Sequence, residues 1–349
     1  MKKFSLYLLI SVTGFLMISC SGLKYLTVET REPAQVNLPE EIMRITVVNN
    51  VVQQPDDIGH GLLKLGRSSK EREKASSDSV AVFYTEALTQ FLNEADYFLR
   101  VTYYNKPLRD DSDFFMEQAL SPERMNAIRS ETRADAIISL DKLIIETDKR
   151  EHFRQMGYSY SDLTGRIHSI IRVYLPTMNG KIPAVQYNDS LYWEGFDIQD
   201  DKAYSEVTLP SREEAMKILA VHAAEKMSNV FAPHWEMQDR WYYTMSNTLM
   251  REGENFAKGA DWENAILKWE SFYNSQSNRV SKAKAASNIA LAYEMSDNME
   301  KALEWAREAN KLFNESTSPN SLERKRSQLY MKEIERRQST TNTLDLRND

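Results

Sequence analysis

One spacing pattern in the last hundred residues constrains the fold of this chain more than any other feature. A small residue, an aromatic residue three positions later and an alanine further on occur twice, offset by 37 positions. The two copies consist of Gly253, Phe256 and Ala265, and of Ala290, Tyr293 and Ala302. A small residue lets a neighbouring helix approach closely, the aromatic ring fills the space between helices, and the alanine fits the tightest crossing. The pattern therefore predicts two similar pairs of packed helices.

This pattern resembles the tetratricopeptide repeat, whose period is about 34 residues. A longer loop around Gln276 to Arg279 accounts for the difference in period. A helix over 321–337 is expected to cap the stack, and the alternative is a pair of generic amphipathic hairpins. The resemblance predicts an all-α, tetratricopeptide-like domain over 233–337. The polar residues 338–349 are expected to form a disordered tail.

The first nineteen residues have the composition of a secretory signal. Lys2 and Lys3 precede a nearly apolar stretch over 4–18, which is shorter than the roughly 20 residues of a membrane span. Cys20 follows directly and is the single cysteine of the chain, so no intrachain disulfide can form. The alternative is an ordinary signal peptide with an incidental cysteine.

Met17-Ile18-Ser19-Cys20 resembles the bacterial lipoprotein box, with Met17 in place of the commoner leucine. The resemblance implies that Cys20 is acylated, for example with palmitate, and becomes the mature N-terminus. Neither an aspartate after Cys20 nor an acidic run follows, which implies an outer-membrane lipoprotein whose body faces the periplasm, with the cell surface left open. Residues 1–19 are thus the expected signal, and residues 20–39 are the expected tether.

The charge balance of the chain is acidic. The net charge of −7 becomes −9 once residues 1–19, with two lysines and no acid, are removed. An acidic protein is poorly suited to nonspecific nucleic-acid binding, which depends on neutralising phosphates. The charge also gives no overall attraction to an anionic membrane, so the expected membrane attachment is covalent. The length of 349 residues fits about two domains.

Residues 40–232 are predicted to form an α/β domain with a mixed sheet and packed helices, which makes the whole chain α+β. Runs of β-branched and aromatic residues predict strands at 42–48, 98–104, 135–145, 165–176 and 189–196. Helical spacing and capping residues predict helices at 80–94, 122–132 and 211–230. The segments 49–67 and 155–160 are interpreted as a loop and as a hairpin tip.

The order of these elements is similar to that of the α/β domain in periplasmic assembly lipoproteins, such as penicillin-binding-protein activators and the curli secretion-channel family. Residues 44–48, 98–101 and 134–138 stand at the matching places. A second resemblance starts at Pro33-Ala34-Gln35-Val36-Asn37-Leu38-Pro39 and continues through IMRITVVNN. It points to a family of Bacteroidetes-type lipoproteins of unknown function and brings no catalytic residues.

Five of the six tryptophans lie at or after Trp235, and tyrosines accompany them. The candidate partner-binding residues are Trp235, Trp241, Tyr242, Tyr243, Trp262, Trp269 and Trp305. They form either a groove for a ligand or peptide, or an apolar plug between the two domains.

Chemical motifs do not point to a reaction. The sequence has no HExxH, GxSxG, Walker or GxGxxG motif, and its five histidines are far apart in sequence. We therefore expect no cofactor, no metal and no catalytic site. The predicted function is a non-enzymatic, lipid-anchored scaffold that binds an envelope protein or peptide through its helical repeats. The alternative is an enzyme that acts on an envelope polymer, with its site in the α/β domain.

Overall fold

The computed structural model describes residues 22–64, 66–109, 111–152, 160–175, 184–196 and 209–345. Within these ranges the chain divides into two compact units. Residues 34–234 form one of them, which we call the α/β unit. The other, the helical unit, combines residues 22–33 with residues 235–345. Cys20 and most of the predicted hairpin tip at 155–160 lie outside the described residues.

The described residues contain nine strands and eight helices. The strands are β1 (Leu23–Glu32), β2 (Arg44–Asn49), β3 (His60–Leu63), β4 (Glu71–Arg72), β5 (Arg100–Tyr104), β6 (Ala136–Glu151), β7 (Tyr160–Tyr174), β8 (Val185–Phe196) and β9 (His234–Tyr243). The helices are α1 (Val80–Glu94), α2 (Pro122–Thr132), α3 (Arg212–Phe231), α4 (Thr248–Lys258), α5 (Trp262–Ser275), α6 (Arg279–Met295), α7 (Met299–Ser316) and α8 (Leu322–Asp345). The chain is therefore α+β, with a helical C-terminal part.

The α/β unit is built around the long strand β6. One edge of β6 pairs in parallel with β2 along its first half and with β3 along its second half. Its other edge pairs antiparallel with β7, which in turn pairs with β8. Strand β5 extends the sheet beside β2, and β4 extends it beside β3. The mixed sheet predicted from the sequence is confirmed.

Helices cover both faces of the sheet where β2 and β6 pair. Val47 and Ile138 pack with α1 and α3 in the larger core, whereas Val48 and Ile137 point to the other face and pack with Ile128 of α2. Because both faces are buried, these strands have apolar residues at consecutive positions instead of an alternating pattern. This explains why the runs IMRITVV and DAIISL predicted strands correctly.

The sequence predicts a cap for α1 within Ser77-Asp78-Ser79 and a cap for α2 at Ser121, whereas the cap of α3 at Ser211 was not predicted. The hydroxyl oxygens of Ser121 and Ser211 accept hydrogen bonds from the backbone N–H groups of Arg124 and Glu214, at 3.3 and 3.1 Å. Ser79 at the start of α1 has a left-handed backbone (φ 65°) and makes no such bond. The predicted cap of α1 is therefore wrong in its chemistry, although the predicted helix is present.

Three boundaries differ from the prediction. The expected tether at 20–39 contains β1, and the expected loop at 49–67 contains β3. The expected disordered tail is helical as far as Asp345, because no glycine or proline ends α8 before that point. The division between the units falls at 234/235, close to the predicted 232/233, but β1 joins the second unit across the sequence.

The helical unit contains two antiparallel helix pairs and one further helix. Helices α4 and α5 pack together, as do α6 and α7, and α8 packs on α7. Strands β1 and β9 form a two-stranded sheet in the same unit. None of the helices in the described ranges combines the length and the apolarity needed to cross a bilayer.

Candidate functional site

The residues of the repeated pattern lie where the helices of the helical unit approach one another. Gly253 faces Trp269, since a Cβ atom added to this glycine would lie 2.4 Å from the indole nitrogen. Ala265, Ala290 and Ala302 are fully buried. Phe256 is half-buried beside Trp269 and Tyr293 lies between both helix pairs. Helix packing in this unit therefore depends on small residues placed against large rings.

Strands β1 and β9 form an antiparallel ribbon, which we call the β1–β9 ribbon. The Thr244 N–H donates to the Gly22 carbonyl at 2.8 Å, the Thr27 hydroxyl donates to Asp239 at 3.1 Å, and Thr30 lies near the Glu236 carbonyl at 3.4 Å. Residue numbers thus rise along one strand as they fall along the other. The sequence predicted neither strand.

The inner face of the β1–β9 ribbon packs on α6 and α8. Tyr242 lies in one core cluster with Ala290 and Leu291 of α6 and with Tyr330 and Ile334 of α8. Tyr243 packs in a neighbouring cluster that includes Ala283 and Phe313. Trp241 is half-buried, with its ring centroid 5.9 Å from that of Tyr330. Trp241, Tyr242 and Tyr243 therefore pack in the core of the helical unit, which does not fit the groove interpretation for these three residues.

Asn288 of α6 holds the backbone of β9 through both ends of its amide. Its Oδ1 accepts a hydrogen bond from the Tyr243 N–H at 2.7 Å, and its Nδ2 donates to the Tyr243 carbonyl at 2.8 Å. Asn288 is fully buried, so this pair of bonds replaces the ladder bonds that another strand would supply. The signal for Asn288 in the sequence is a polar residue within the alanine-rich run AASNIALA.

A buried cluster of charges fixes the same strand to α6 and α8. The Arg240 Nε donates to the Glu294 carboxylate at 3.0 Å, and the Tyr330 hydroxyl donates to it at 2.7 Å. Arg337 forms an ion pair with the same carboxylate. The Glu294 side chain is 2% exposed, so these donors compensate for the loss of water around it. Sequence reasoning missed Arg240 and Glu294, because two isolated charges carry no pattern.

The remaining predicted aromatics differ widely in exposure. Trp269 is fully buried and donates to the Met250 carbonyl at 3.3 Å, while Trp262 is half-buried in the same cluster. Trp235, on the outer face of the ribbon, is 68% exposed. Trp305 is half-buried and lines an open groove. Of the seven predicted residues, Trp235 is therefore the exposed one, and Trp305 lines the open groove.

The open groove lies along α7 and has a volume of about 860 Å³. We call it the α7 groove. Its lining residues in the described chain are Tyr273, Glu300, Leu303, Glu304, Trp305, Arg307, Glu308, Lys311 and Gln338. The three glutamates stand at four-residue spacing, so they form one acidic row along α7.

The aromatic side of the α7 groove is held in place by neighbouring groups. The rings of Tyr273 and Trp305 meet edge to face, with centroids 5.0 Å apart. The Tyr273 hydroxyl donates to Glu308 at 2.8 Å, and the Lys282 ammonium lies 4.2 Å from the centre of the Tyr273 ring. Burial, and next the Glu308 carboxylate, raise the pKa of Tyr273 to about 12. The phenol is therefore neutral at physiological pH, as its hydrogen bond requires.

The α/β unit has its own buried carboxylate, Asp141, at a bulge in β6. Its Oδ1 accepts from Asn50 at 3.0 Å and from Ser139 at 2.5 Å, and its Oδ2 accepts from Arg172 at 2.6 Å and from Tyr174 at 3.1 Å. A carboxylate has about four lone-pair sites, so these four donors use its capacity. Asp141 therefore joins strands and loops.

A second feature of the α/β unit is a pocket of about 400 Å³ beside β3. It is lined by Asp57, Ile58, Gly59, His60, Lys70, Glu71, Arg72 and Glu146. His60 is 4% exposed, and its Nδ1 lies 2.8 Å from the Thr147 hydroxyl. Its Nε2 is buried and has no hydrogen-bond partner in the described chain. Burial first, and Arg212 next, lower the pKa of His60, so the neutral ring is favoured.

In the part of the chain that the structure describes, no three histidine, cysteine or acidic residues come together in a way that would hold a metal ion.

Comparisons with known proteins give two domain families and distant structural similarities. Residues 251–336 match the family described as Domain of unknown function (DUF6340). A Xanthomonas campestris protein of family DUF330 is 5% identical with a TM-score of 0.24, and the match covers 57% of this chain and 83% of that one. A hypothetical protein from Chlamydia trachomatis is 11% identical with a TM-score of 0.23, and the match covers 52% of this chain and 92% of that one. These low scores give no basis for transferring a property.

No curated protein matches the chain significantly. The longer family match spans residues 42–243, which is more than half of the chain and includes all of β9. On this match, the chain belongs to the family described as Domain of unknown function (DUF8603).

Proposed function

We propose that this protein is a lipid-anchored envelope lipoprotein whose helical unit binds another protein. The observation that carries the proposal is the α7 groove, which combines two fixed aromatic rings with a row of three glutamates. Grooves between packed helices that present aromatic anchors and charged rims are typical sites for peptides and helices.

The tetratricopeptide resemblance supports this proposal. Helix pairs α4–α5 and α6–α7 carry the small, aromatic and alanine positions at matching places, and α8 takes the place of a capping helix. Stacked helix pairs of this kind use their surfaces for protein recognition. The α6 and α8 surface is already covered by the β1–β9 ribbon, so the proposed partner binds at the α7 groove instead.

The acidic lining of the α7 groove indicates which kind of partner segment would bind there. The glutamates 300, 304 and 308 outnumber Arg307 and Lys311 in the groove, and Arg307 is paired with Glu335 at 2.9 Å. A segment with lysine or arginine residues and an apolar anchor would complement this surface. We propose that the partner is an envelope protein that presents such a basic segment.

Site-specific crosslinking in cells tests the groove. We expect p-benzoylphenylalanine at Glu304 to form a covalent adduct with an envelope protein. The same probe at Tyr192, which is 58% exposed in the α/β unit, serves as the matched control. The triple change Glu300→Gln, Glu304→Gln and Glu308→Gln should abolish a crosslink formed from the exposed groove residue Lys311. Adducts that form equally from both positions, or that survive the triple change, would reject the groove as the binding site.

Acylation of Cys20 and the outer-membrane location are a separate part of the proposal, supported by the sequence. Labelled palmitate should be incorporated into the wild-type chain and not into Cys20→Ala. Membrane fractionation of the labelled protein then locates it. Labelling of both chains, or of neither, would reject the anchor.

A second candidate function is an enzyme that acts on an envelope polymer. The observation that favours it is the pocket beside β3, where the buried His60 has an unpartnered Nε2 next to lysine, arginine and carboxylate groups. Hydrolysis of cell-wall material by purified protein, lost in His60→Asn, would support this candidate. Full activity in His60→Asn, or none in the wild type, would exclude the pocket as its site.

A further inference from the structure

The first ordered strand begins three residues after the predicted acylation site. Three Cα–Cα steps of extended chain span at most about 11 Å. The side chain of Leu23, at the start of β1, packs with Tyr243, Val280 and Phe313. If Cys20 carries acyl chains in the bilayer, this end of the helical unit is within about 11 Å of the lipid headgroups. The expected 20-residue tether would have allowed much greater separation.

Three helix ends meet beside Leu23, and we call this region the anchor end. Arg279 at the start of α6 pairs with Glu315 near the end of α7, at 3.5 Å. Helix α8 packs on α7 and starts six residues after the end of α7. Burial raises the pKa of Tyr243, Glu323 raises it further and Arg326 lowers it, so the first turns of α8 are within electrostatic range of this phenol. The anchor end is therefore formed by the start of α6, the end of α7 and the start of α8.

The anchor end is basic although the chain is acidic. Its charged residues are Arg279, Lys282, Lys284, Glu315, Glu323, Arg324, Lys325 and Arg326. Six cations thus face two carboxylates, whereas the whole chain has a net charge of −7. Lys282, Lys284 and the three cations of α8 form no ion pair with any described carboxylate; Arg279 is the member that does. The Lys282 and Lys284 ammonium groups lie over the Tyr273 and Tyr243 rings, so the three cations of α8 are the ones available to an external anionic surface.

Exposed apolar groups accompany these charges. Tyr25 is 62% exposed and Leu322 is 61% exposed. Tyrosine is enriched where proteins meet the headgroup region of membranes, and basic clusters beside a lipid anchor are attracted to anionic headgroups. Aromatic, apolar and basic groups therefore lie together at the anchor end. This is the part of the helical unit that the short link from Cys20 to Leu23 keeps near the bilayer.

We propose that the anchor end of the helical unit docks on an anionic phospholipid surface, with the first turn of α8 and the start of α6 in contact with headgroups. This inference rests on the proposed acylation of Cys20 for its location, while the basic surface stands on the structure alone. The docked unit would hold the α7 groove at a fixed height above the membrane.

Vesicle binding of the unacylated protein tests the surface independently of the anchor. The mature chain with Cys20→Ser should bind vesicles of phosphatidylglycerol and phosphatidylcholine, and should not bind pure phosphatidylcholine vesicles. Arg324→Glu with Lys325→Glu should lower the partition coefficient by at least about 30-fold, since each basic residue near the surface contributes about fivefold and the new carboxylates are repelled. Raising the salt concentration should have a similar effect.

The Arg324→Glu, Lys325→Glu variant should keep its fold, and it has a control variant with the same change in net charge. Acidic residues in the first turn of a helix are favourable, so the two new glutamates should not unfold α8. Lys301→Glu with Lys332→Glu changes the net charge equally on exposed helix positions away from the anchor end, and should leave vesicle binding unchanged. Equal binding to neutral and anionic vesicles, or equal losses in both double variants, would overturn the proposal.

Orientation is tested with the acylated protein. Because Cys20 is the single native cysteine, an introduced cysteine is the one free thiol of the acylated chain. A fluorophore on Leu322→Cys should be quenched by headgroup-labelled lipid, and one on Glu300→Cys should not. Glu300 lies at the other end of α7, about 24 Å from Ser316. Equal quenching at both positions would overturn the docked orientation.

Palmitate labelling tests the proposed acylation of Cys20, and vesicle binding tests the proposed docking surface, so the two proposals can fail separately. Loss of palmitate labelling with normal vesicle binding would reject the anchor and leave the basic surface in place. Normal labelling with no vesicle binding would reject the docking surface alone.

Discussion

The two units of this protein bury charge in different ways. Asp141 in the α/β unit accepts hydrogen bonds from three neutral groups and one arginine, and all of them lie on the sheet or its adjoining segments. Glu294 in the helical unit accepts from two arginines and one tyrosine, which come from β9 and α8. Asp141 adds to a core that apolar residues already form, whereas Glu294 holds β9, α6 and α8 together. We therefore expect the helical unit to depend more strongly on single residues.

The largest effect should come from Glu294→Gln, which removes the charge and keeps the size of the side chain. The buried Arg240 and the half-buried Arg337 then lose their shared carboxylate, and we expect a loss of about 3 to 5 kcal/mol in the stability of the helical unit. Tryptophan fluorescence can follow this unit, because Trp193 is the one tryptophan outside it and can be replaced by phenylalanine. Glu304→Gln, on the exposed side of α7, is the matched control. A change below about 1 kcal/mol would contradict the comparison.

Asp141→Asn is the corresponding change in the α/β unit and should be less costly. One arginine loses its charged partner, and Arg172 keeps a second ion pair with Glu117. We expect a loss of about 2 to 3 kcal/mol. Hydrogen exchange at the β6 amides measures it. A loss larger than that of Glu294→Gln would reverse the proposed ranking.

Gly253→Ala tests close packing in the helical unit. The added methyl group would overlap the fully buried Trp269 ring, and overpacking of this kind costs about 1 to 3 kcal/mol. The better helix propensity of alanine offsets up to about 1 kcal/mol of that. Gly259→Ala is the control, since its new atom would be 3.5 Å from the nearest group. Fluorescence-monitored denaturation that shows equal stability in both variants would contradict the packing argument.

The smallest effect concerns pH and the α/β unit. The unfolded chain protonates His60 near its ordinary pKa of 6.5, and the folded chain resists protonation because the ring is buried. The unfolded state then binds more protons, so stability should fall as pH drops from about 6.5 towards the lower pKa of the folded state. His60→Asn should flatten this part of the stability profile, measured by denaturant midpoints. An unchanged slope would show that other groups cause it.

Sequence patterns predicted the α/β unit well, because burial on both faces of β2 and β6 leaves long apolar runs. They failed for β1 and β9, where the usual pattern is inverted. Arg240 of β9 is buried against Glu294, while Trp235 and Met237 are exposed at 68% and 72%. Alternation of apolar and polar residues could not reveal such a strand, since its inner face is specified by particular partners.

The candidate site was predictable only in part, for a related reason. The positions of Gly253 and the three alanines follow from repeated spacing, and Trp305 was named as a binding residue. The α7 groove itself depends on how α5, α7 and α8 come together, and the row of glutamates looks like an ordinary solvated helix face in the sequence. The cover supplied by the β1–β9 ribbon could not be foreseen, because its two strands are about 200 residues apart.

That separation has a consequence for biogenesis. The α/β unit is an insertion between two segments that must meet to complete the other unit. During synthesis, β1 emerges first, and its partner strand β9 and Arg336 of α8, which binds Glu32 of β1, follow about 200 and 300 residues later. Domains of high contact order assemble slowly, and an unpaired strand invites mispairing in the meantime. The nascent chain therefore carries an unpaired strand until β9 and the carboxyl-terminal helix have been made.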